Sequence, residues 1–166
     1  MKKDEAPKIY GLLGYPVKHS LSPAMHTAAF RRLNLNGIYL LFEAKYEDFA
    51  STLKKLKLMD VSGFNVTVPY KEAIIPYLDR LDAAAAGIGA VNTVLNKNGK
   101  LIGYSTDGQG FLSSLKNDLG LRVKNKNILI IGAGGAARAI GFALAGEKPK
   151  SIIFFDIVKE RALRLA

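Results

Sequence analysis

Four short segments of this chain place polar groups where packing has no need of them. They are His19-Ser20-Leu21-Ser22-Pro23, Asn65-Val66-Thr67-Val68-Pro69-Tyr70-Lys71, Val91-Asn92-Thr93, and Gly103-Tyr104-Ser105-Thr106-Asp107-Gly108. Hydroxyls and amides donate and accept hydrogen bonds at once, which suits a polyhydroxylated ligand. Lys71 and Asp107 add a pair able to move a proton. Each residue also has a plainer use. Ser22 and Asp107 are suited to capping helices, Thr67 to a strand, Asn92 to a turn, and Lys71 to a solvated first turn. Taken singly, the plainer use is preferred for Ser22 and Asn92. Together, and followed by a glycine-rich turn, the segments read as a site.

That turn is Gly132-Ala133-Gly134-Gly135-Ala136-Ala137, a G-x-G-x-x-A pattern between a predicted strand and a predicted helix. Gly132 allows the tight turn and Gly134 lets backbone N–H groups approach a pyrophosphate. Ala137 keeps the helix close to the sheet, and the phosphates would sit at the positive end of its dipole. Asp156 ends the following strand, where a carboxylate accepts from the adenosine ribose hydroxyls. A 2′-phosphate there would meet a like charge, so NAD is favoured over NADP. Arg161 lies near enough in sequence to reach a phosphate, and Asp156 has the plainer use of a helix cap.

The elements that must position these residues alternate between strand and helix, which predicts an α/β architecture. Residues 8–15 read as a strand. A helix then opens at Ser22 as N-cap with Pro23 at its first position, and Met25, Ala29 and Leu33 form its apolar face. Strand 38–42 follows, then a helix with Tyr46, Phe49, Leu53 and Leu56 on one face, then strand 63–68. Residues 73–90 read as helical with an interruption at Pro76. Val91 to Leu95 and Leu101 to Tyr104 flank a hairpin turn at Asn96-Lys97-Asn98-Gly99. Phe111, Leu112, Leu115 and Leu119 define the next helix, and Asn127 to Ile131 reads as a parallel strand buried on both faces. The expected division is residues 1–108 for the substrate and 109–166 for a partial dinucleotide-binding domain. The last helix reaches Ala166 without a stop signal, and a βαβαβ half needs one more strand, so the chain is expected to be truncated.

Composition narrows the function classes. Without cysteine, disulfides, thiolate nucleophiles and thiolate metal sites are excluded; no metal is expected. No apolar run approaches the roughly 18 residues that would cross a bilayer, and the first residues lack the apolar core of a signal peptide. A cytoplasmic protein with no membrane partner is expected. The net charge of +10 invites a nucleic-acid reading, but it divides into +4 for residues 1–110 and +6 for 111–166, without aromatic interleaving. A solvated surface with mild attraction for anionic ligands is preferred, and no nucleic-acid partner is expected.

In order and spacing, Gly14-Tyr15-Pro16-Val17, the His19–Pro23 segment, Met25-His26, Asn65–Lys71, Ala90–Thr93, Gly103–Gly108 and Gly132–Ala136 resemble shikimate dehydrogenases along nearly the whole chain. The resemblance implies an N-terminal α/β substrate-binding domain followed by a Rossmann domain. It also implies reversible reduction of 3-dehydroshikimate to shikimate with NAD(P), in the pathway to chorismate and the aromatic amino acids. Ser20, Ser22, Asn65, Thr67, Lys71, Asn92 and Asp107 would bind substrate, and Lys71 with Asp107 would be the catalytic pair. Gly132, Ala133, Gly134, Gly135, Ala136, Asp156 and Arg161 would face the cofactor, and a homodimer is compatible with it. Two departures stand out. Where NADP-dependent members usually carry Asn-Arg-Thr, this chain has Asp156-Ile157-Val158, which resembles the NAD-using quinate/shikimate dehydrogenase branch. Ser105 replaces the usual asparagine before Thr106-Asp107. The nicotinamide-side loops, a late glutamine and the returning C-terminal helices have no counterpart, which leaves a non-catalytic shikimate-binding fragment as the alternative.

Overall fold

A strand of seven residues, β1 (Lys8–Gly14), runs parallel to and between β2 (Gly37–Glu43) and β3 (Gly63–Val66). Its last four residues are all buried, as expected of a central parallel strand covered on both faces. This computed structural model describes residues 6–166, so the leader reading lies, for residues 1–5, outside the described residues. The described chain divides into two compact units: residues up to Leu81 with Asn92–Gly103, and Asp82–Val91 with Tyr104–Ala166. Among the described residues no helix is long and apolar enough to cross a membrane.

The sheet of the first unit has the order β2-β1-β3-β5-β6-β4, with β4 (Arg80–Leu81), β5 (Thr93–Lys97) and β6 (Lys100–Tyr104). The pairing of β3 with β5 is antiparallel and that of β4 with β6 parallel. The β5–β6 hairpin is as the sequence predicts. Asn98 and Gly99 turn it at φ of 54° and 79°, the left-handed pair that a two-residue hairpin loop needs, and Asn96 Oδ1 accepts the Gly99 N–H at 2.9 Å. Helix α2 (Phe49–Leu58) buries Phe49, Leu53 and Leu56, matching the expected stripe apart from the exposed Tyr46.

Helix α1 (Ser22–Arg32) differs from expectation in two ways. Leu21 is its N-cap and Ser22 its first residue, with no side-chain cap bond. Its apolar face is not Met25, Ala29 and Leu33, which are exposed; it is the stripe of Pro23, His26, Thr27 and Phe30. The His26 ring stacks on Tyr39 and Phe30 lies against Tyr10. Aromatic side chains cover more of the sheet than Met and Ala do, so they take the inner stripe. The expected helix over 73–90 is also broken up. Ile75–Tyr77 is a 3-10 turn around Pro76, β4 follows, and only α3 (Ala83–Ile88) is α-helical, capped by Asp82 and ended by Gly89 at φ 70°.

The second unit contains α3, α4 (Asp107–Asn117), β7 (Asn127–Ile131), α5 (Gly135–Gly146), β8 (Ser151–Phe155) and α6 (Lys159–Leu165). The strands pair in parallel from Asn127↔Ser151 to Ile131↔Phe155, giving the β-α-β-α piece of a dinucleotide-binding fold. Among the described residues only one face of this pair is covered. A Cβ on Gly141 of α5 would stand 2.6 Å from Phe154 and 3.6 Å from Ile130, so that glycine sets the helix close to the sheet. On the other face Leu129, Ile131, Ile153 and Phe155 are all more than half exposed. The expectation of a strand buried on both faces is therefore corrected: one crossover helix covers one side only. In α4 the expected face is likewise thin. Leu112 and Leu115 are half-buried, Phe111 and Leu119 are exposed, and the only buried residue is Gly108.

Candidate functional site

In the first unit the polar residues follow the carboxyl ends of parallel strands, where sites on such sheets form. The loop after β1 carries Ser20 and leads into Ser22, the first residue of α1. Its path is fixed by hydrogen bonds of its backbone. Tyr15 N–H donates to Val68 O at 3.0 Å, Ser20 N–H to Val17 O at 2.9 Å, and Val17 N–H to the Glu43 carboxylate at 3.0 Å. Lys18 N–H reaches the same carboxylate oxygen at 3.3 Å. These backbone donors, the Val17 N–H foremost, hold the Glu43 carboxyl below the usual carboxylate range, aided by the charge of Lys18. The Ser20 hydroxyl donates to Ser22 Oγ at 3.0 Å, and Ser22 N–H donates to Ser20 Oγ. The two serines thus form one half-buried hydroxyl pair instead of a cap.

Past β3, Thr67 sits against Gly14. A Cβ on Gly14 would collide with the Thr67 methyl, so the glycine is what lets the two loops close on each other. Lys71 follows on a turn anchored on both sides. The Tyr70 ring is buried against Phe49 with its hydroxyl donating to Ala44 O at 2.6 Å, and Ile74 is fully buried. Lys71 itself is half-buried.

Asn65, Asn92 and Thr93 come together where β3 meets β5. Asn65 accepts the Tyr39 hydroxyl at 2.7 Å and donates to Asn92 O at 3.3 Å and Thr93 Oγ1 at 3.1 Å; Thr93 donates to Asn92 Oδ1 at 3.2 Å. Both ends of the Asn65 amide are thus engaged by the protein itself. Tyr39 and Glu43 are site-building residues that sequence reasoning did not find. The partners of Tyr39 and Glu43 lie 26 positions away and leave no local pattern.

The second unit holds the remaining residues. Asp107 is half-buried in the first turn of α4, the favourable end of the helix dipole for a carboxylate. Gly132 adopts φ 107°, a conformation that only glycine takes easily, and its N–H donates to Phe155 O at 2.7 Å. Gly134 is the N-cap of α5 and offers no side chain to the first-turn N–H groups. A Cβ built on Gly134 would meet no atom of the chain, so internal packing does not require glycine there. Gly135 and Ala136 open the helix, with Ala136 exposed and Ala133 buried. Open space before a helix N-terminus fits a phosphate.

Asp156 accepts the Ala133 N–H at 2.8 Å with one carboxylate oxygen and the Val158 N–H at 2.8 Å with the other. It is therefore a strut of the glycine turn as well as a candidate ribose acceptor. Those two bonds, Val158 first, and the nearby Arg161 charge hold its carboxyl below the ordinary range. Arg161 is exposed on α6. Among the described residues no group of three or more metal-binding side chains is clustered.

Comparison with known proteins places this geometry. Residues 12–94 match the family described as shikimate dehydrogenase substrate binding domain. The shikimate dehydrogenase (NADP(+)) of Caldanaerobacter subterraneus subsp. tengcongensis is 48% identical over 100% of this chain and 59% of its own length. A crystal structure of shikimate dehydrogenase from Aquifex aeolicus superimposes with a TM-score of 0.91 at 48% identity, covering 96% of this chain and 59% of that one. The shikimate 5-dehydrogenase of Thermus thermophilus, in complex with NADP(H) and shikimate, gives 0.86 at 41% identity, covering 96% and 59%. The chain spans less than two thirds of the length of these relatives.

Proposed function

The chain belongs to the shikimate dehydrogenase substrate binding domain family, and on that premise we propose that it serves the reversible reduction of 3-dehydroshikimate to shikimate. The reaction would use a nicotinamide cofactor, in the pathway to chorismate and the aromatic amino acids. The observation that carries the reading is the gathering of Ser20, Ser22, Thr67, Lys71 and Asn92 beyond the carboxyl ends of β1 and β3 and at the start of β5. Hydroxyl and amide groups there match the hydroxyls and carboxylate of shikimate. In this proposal residues 1–108 supply the substrate side and residues 109–166 the cofactor side.

Lys71 and Asp107 are assigned as the catalytic pair. In reduction, the Lys71 ammonium stabilises the negative charge that builds on the substrate oxygen and supplies its proton; in oxidation the amine takes that proton back. Asp107 binds a substrate hydroxyl as an acceptor. When bound, the nicotinamide would supply or take up a hydride at the carbon that bears that oxygen. Gly132, Ala133, Gly134, Gly135 and Ala136 would hold its pyrophosphate, with Asp156 and Arg161 near the adenosine ribose.

Between the two cofactors we assign NAD. The support is the Asp156 carboxylate, which repels a 2′-phosphate, and the lack of arginine at Ile157. Against it, the relative from Caldanaerobacter is named for NADP(+). A homodimer in the cytoplasm belongs to the same proposal and rests on the family alone.

Calorimetry of the 166-residue chain with shikimate, NAD and NADP separately, together with initial rates of shikimate oxidation, tests the reading. Binding of shikimate and a dinucleotide with measurable turnover is the expected result. Shikimate binding without turnover would make the chain a binding fragment, quinate turnover would extend its substrate range, and absence of shikimate binding would overturn the proposal.

A further inference from the structure

We infer that Tyr39 is a positioning residue that holds the Asn65 amide in place and, through the hydrogen-bond chain Tyr39–Asn65–Thr93–Asn92, steadies the Asn92 amide for the ligand. The inference rests on the substrate role proposed above for Asn92.

The sheet register builds the chain. Tyr39, Tyr10 and Gly63 form one cross-strand row, and Leu41, Leu12, Asn65 and Thr93 form the next on the same face. The Tyr39 hydroxyl reaches across to Asn65 in the neighbouring row, and the two meet at 2.7 Å. The direction of the Asn65 bonds then follows from one group that can only accept. The backbone carbonyl of Asn92 already takes the Val66 N–H at 2.8 Å and lies 3.3 Å from the Asn65 amide. A carbonyl cannot donate, so the amide end facing it is Nδ2. Asn65 Oδ1 therefore faces Tyr39, whose hydroxyl must be the donor. The same Nδ2 donates to Thr93 Oγ1 at 3.1 Å, and the Thr93 hydroxyl spends its single proton on Asn92 at 3.2 Å. The Asn92 end that receives it is Oδ1, so the Thr93 hydroxyl is the group that holds the Asn92 amide in this orientation.

Tyr39 is well suited to hold the first link. It is buried, its ring is stacked face to face on His26 at 4.1 Å and 8°, and burial pushes its phenol up to about 12. The hydroxyl stays protonated, and hence a donor, across the physiological range. The His26 stack fixes the ring independently of the hydroxyl, so Tyr39→Phe removes the first donor and leaves the packing in place.

Shikimate affinity is measured by calorimetry on the 166-residue chain, Tyr39→Phe, Asn92→Ala and the double variant. The expected result is an affinity loss of about five- to tenfold for Tyr39→Phe, the worth of one directed hydrogen bond, that disappears in the Asn92→Ala background. An unchanged affinity, or the same loss without Asn92, overturns the inference. If Tyr39→Phe does not fold, Thr93→Val cuts the chain one link closer and is held to the same two outcomes. If the parent chain does not bind shikimate, the substrate reading fails by itself. The side-chain amide resonances of Asn92 then decide the matter: Tyr39→Phe moves them if the chain of bonds exists, and unmoved resonances overturn it.

Discussion

The carboxylate of Glu43, the last residue of β2, accepts the N–H of Val17 from the loop after β1 at 3.0 Å. Val17 is buried, so its N–H has little access to water, and Glu43 substitutes for that water with a charged acceptor. The loop that carries Ser20 and leads into Ser22 is thereby pinned to the sheet edge by a residue that itself has no place in the proposed chemistry. The ion pair of Glu43 with Lys18, 3.7 Å long with Lys18 largely exposed, adds little.

From this pin comes the first prediction. Glu43→Ala should speed hydrogen exchange at Val17 and weaken shikimate binding by about three- to tenfold, as expected for one charged hydrogen bond lost from a loop. The pH dependence has a definite sign. The folded-state pKa of Glu43 lies below its unfolded value of 4.5, so its contribution is full above that value and is lost as pH falls through the folded one. Val17 exchange, corrected for intrinsic rate, should therefore rise on acidification below pH 4.5 in the parent chain and not in Glu43→Ala. Identical acid profiles would remove Glu43 from this role.

Lys71 gives the second prediction. Its turn is held by Tyr70 and Ile74 through buried side chains and backbone bonds, so Lys71→Ala leaves the anchors intact. Turnover should fall by about a hundred- to ten-thousandfold, the usual worth of a general acid, with a much smaller change in shikimate affinity. A near-normal rate would take Lys71 out of the reaction.

A third prediction concerns the two backbone bonds of Asp156. Asp156→Ala releases both the Ala133 and Val158 N–H groups and removes the charge that would oppose a 2′-phosphate. The variant should bind NAD less tightly and shift the NADP:NAD affinity ratio toward NADP. Asp156→Asn, which keeps acceptor capacity but not charge, separates the two effects: it should shift the ratio with a smaller loss of NAD affinity. A ratio unmoved in both variants would end the assignment of NAD to this carboxylate.

The strands, the hairpin and the glycine turn were legible because each has a local signature: alternating or continuous apolar runs, Asn98-Gly99, and Gly132 to Gly135. The inner stripe of α1 was not. Met25-Ala29-Leu33 and His26-Phe30 both repeat every four residues, and periodicity alone does not say which stripe faces the sheet; the rings of Tyr10 and Tyr39, distant in sequence, decide it. The two-residue β4 is too short to leave a pattern. For the site, the residue types pointed to polar recognition, but the distinction between a group that meets ligand and one that orients it needs partners. Asn65 looks like Asn92 in sequence. Only the contacts of Tyr39 and Thr93 show that its amide is already engaged on both ends.

Two glycines of the second unit should behave in opposite ways. At Gly108, in the first turn of α4, an added Cβ would collide with the backbone oxygen of Ala139 and stand 2.8 Å from the Cβ of Ala143. Neither can move without shifting α5, so Gly108→Ala should destabilise the unit by about 1–3 kcal/mol, as other overpacked contacts do, read as a lower thermal midpoint. At Gly134 an added Cβ meets nothing, and φ is −85°, which any residue adopts. Gly134→Ala should therefore leave stability within about 0.5 kcal/mol of the parent, as a surface change does. Its cost should fall on NAD or NADP binding, because the methyl occupies the path by which a pyrophosphate approaches the α5 N-terminus. Equal dinucleotide affinity in parent and Gly134→Ala, at equal stability, would mean that the turn does not carry the phosphates.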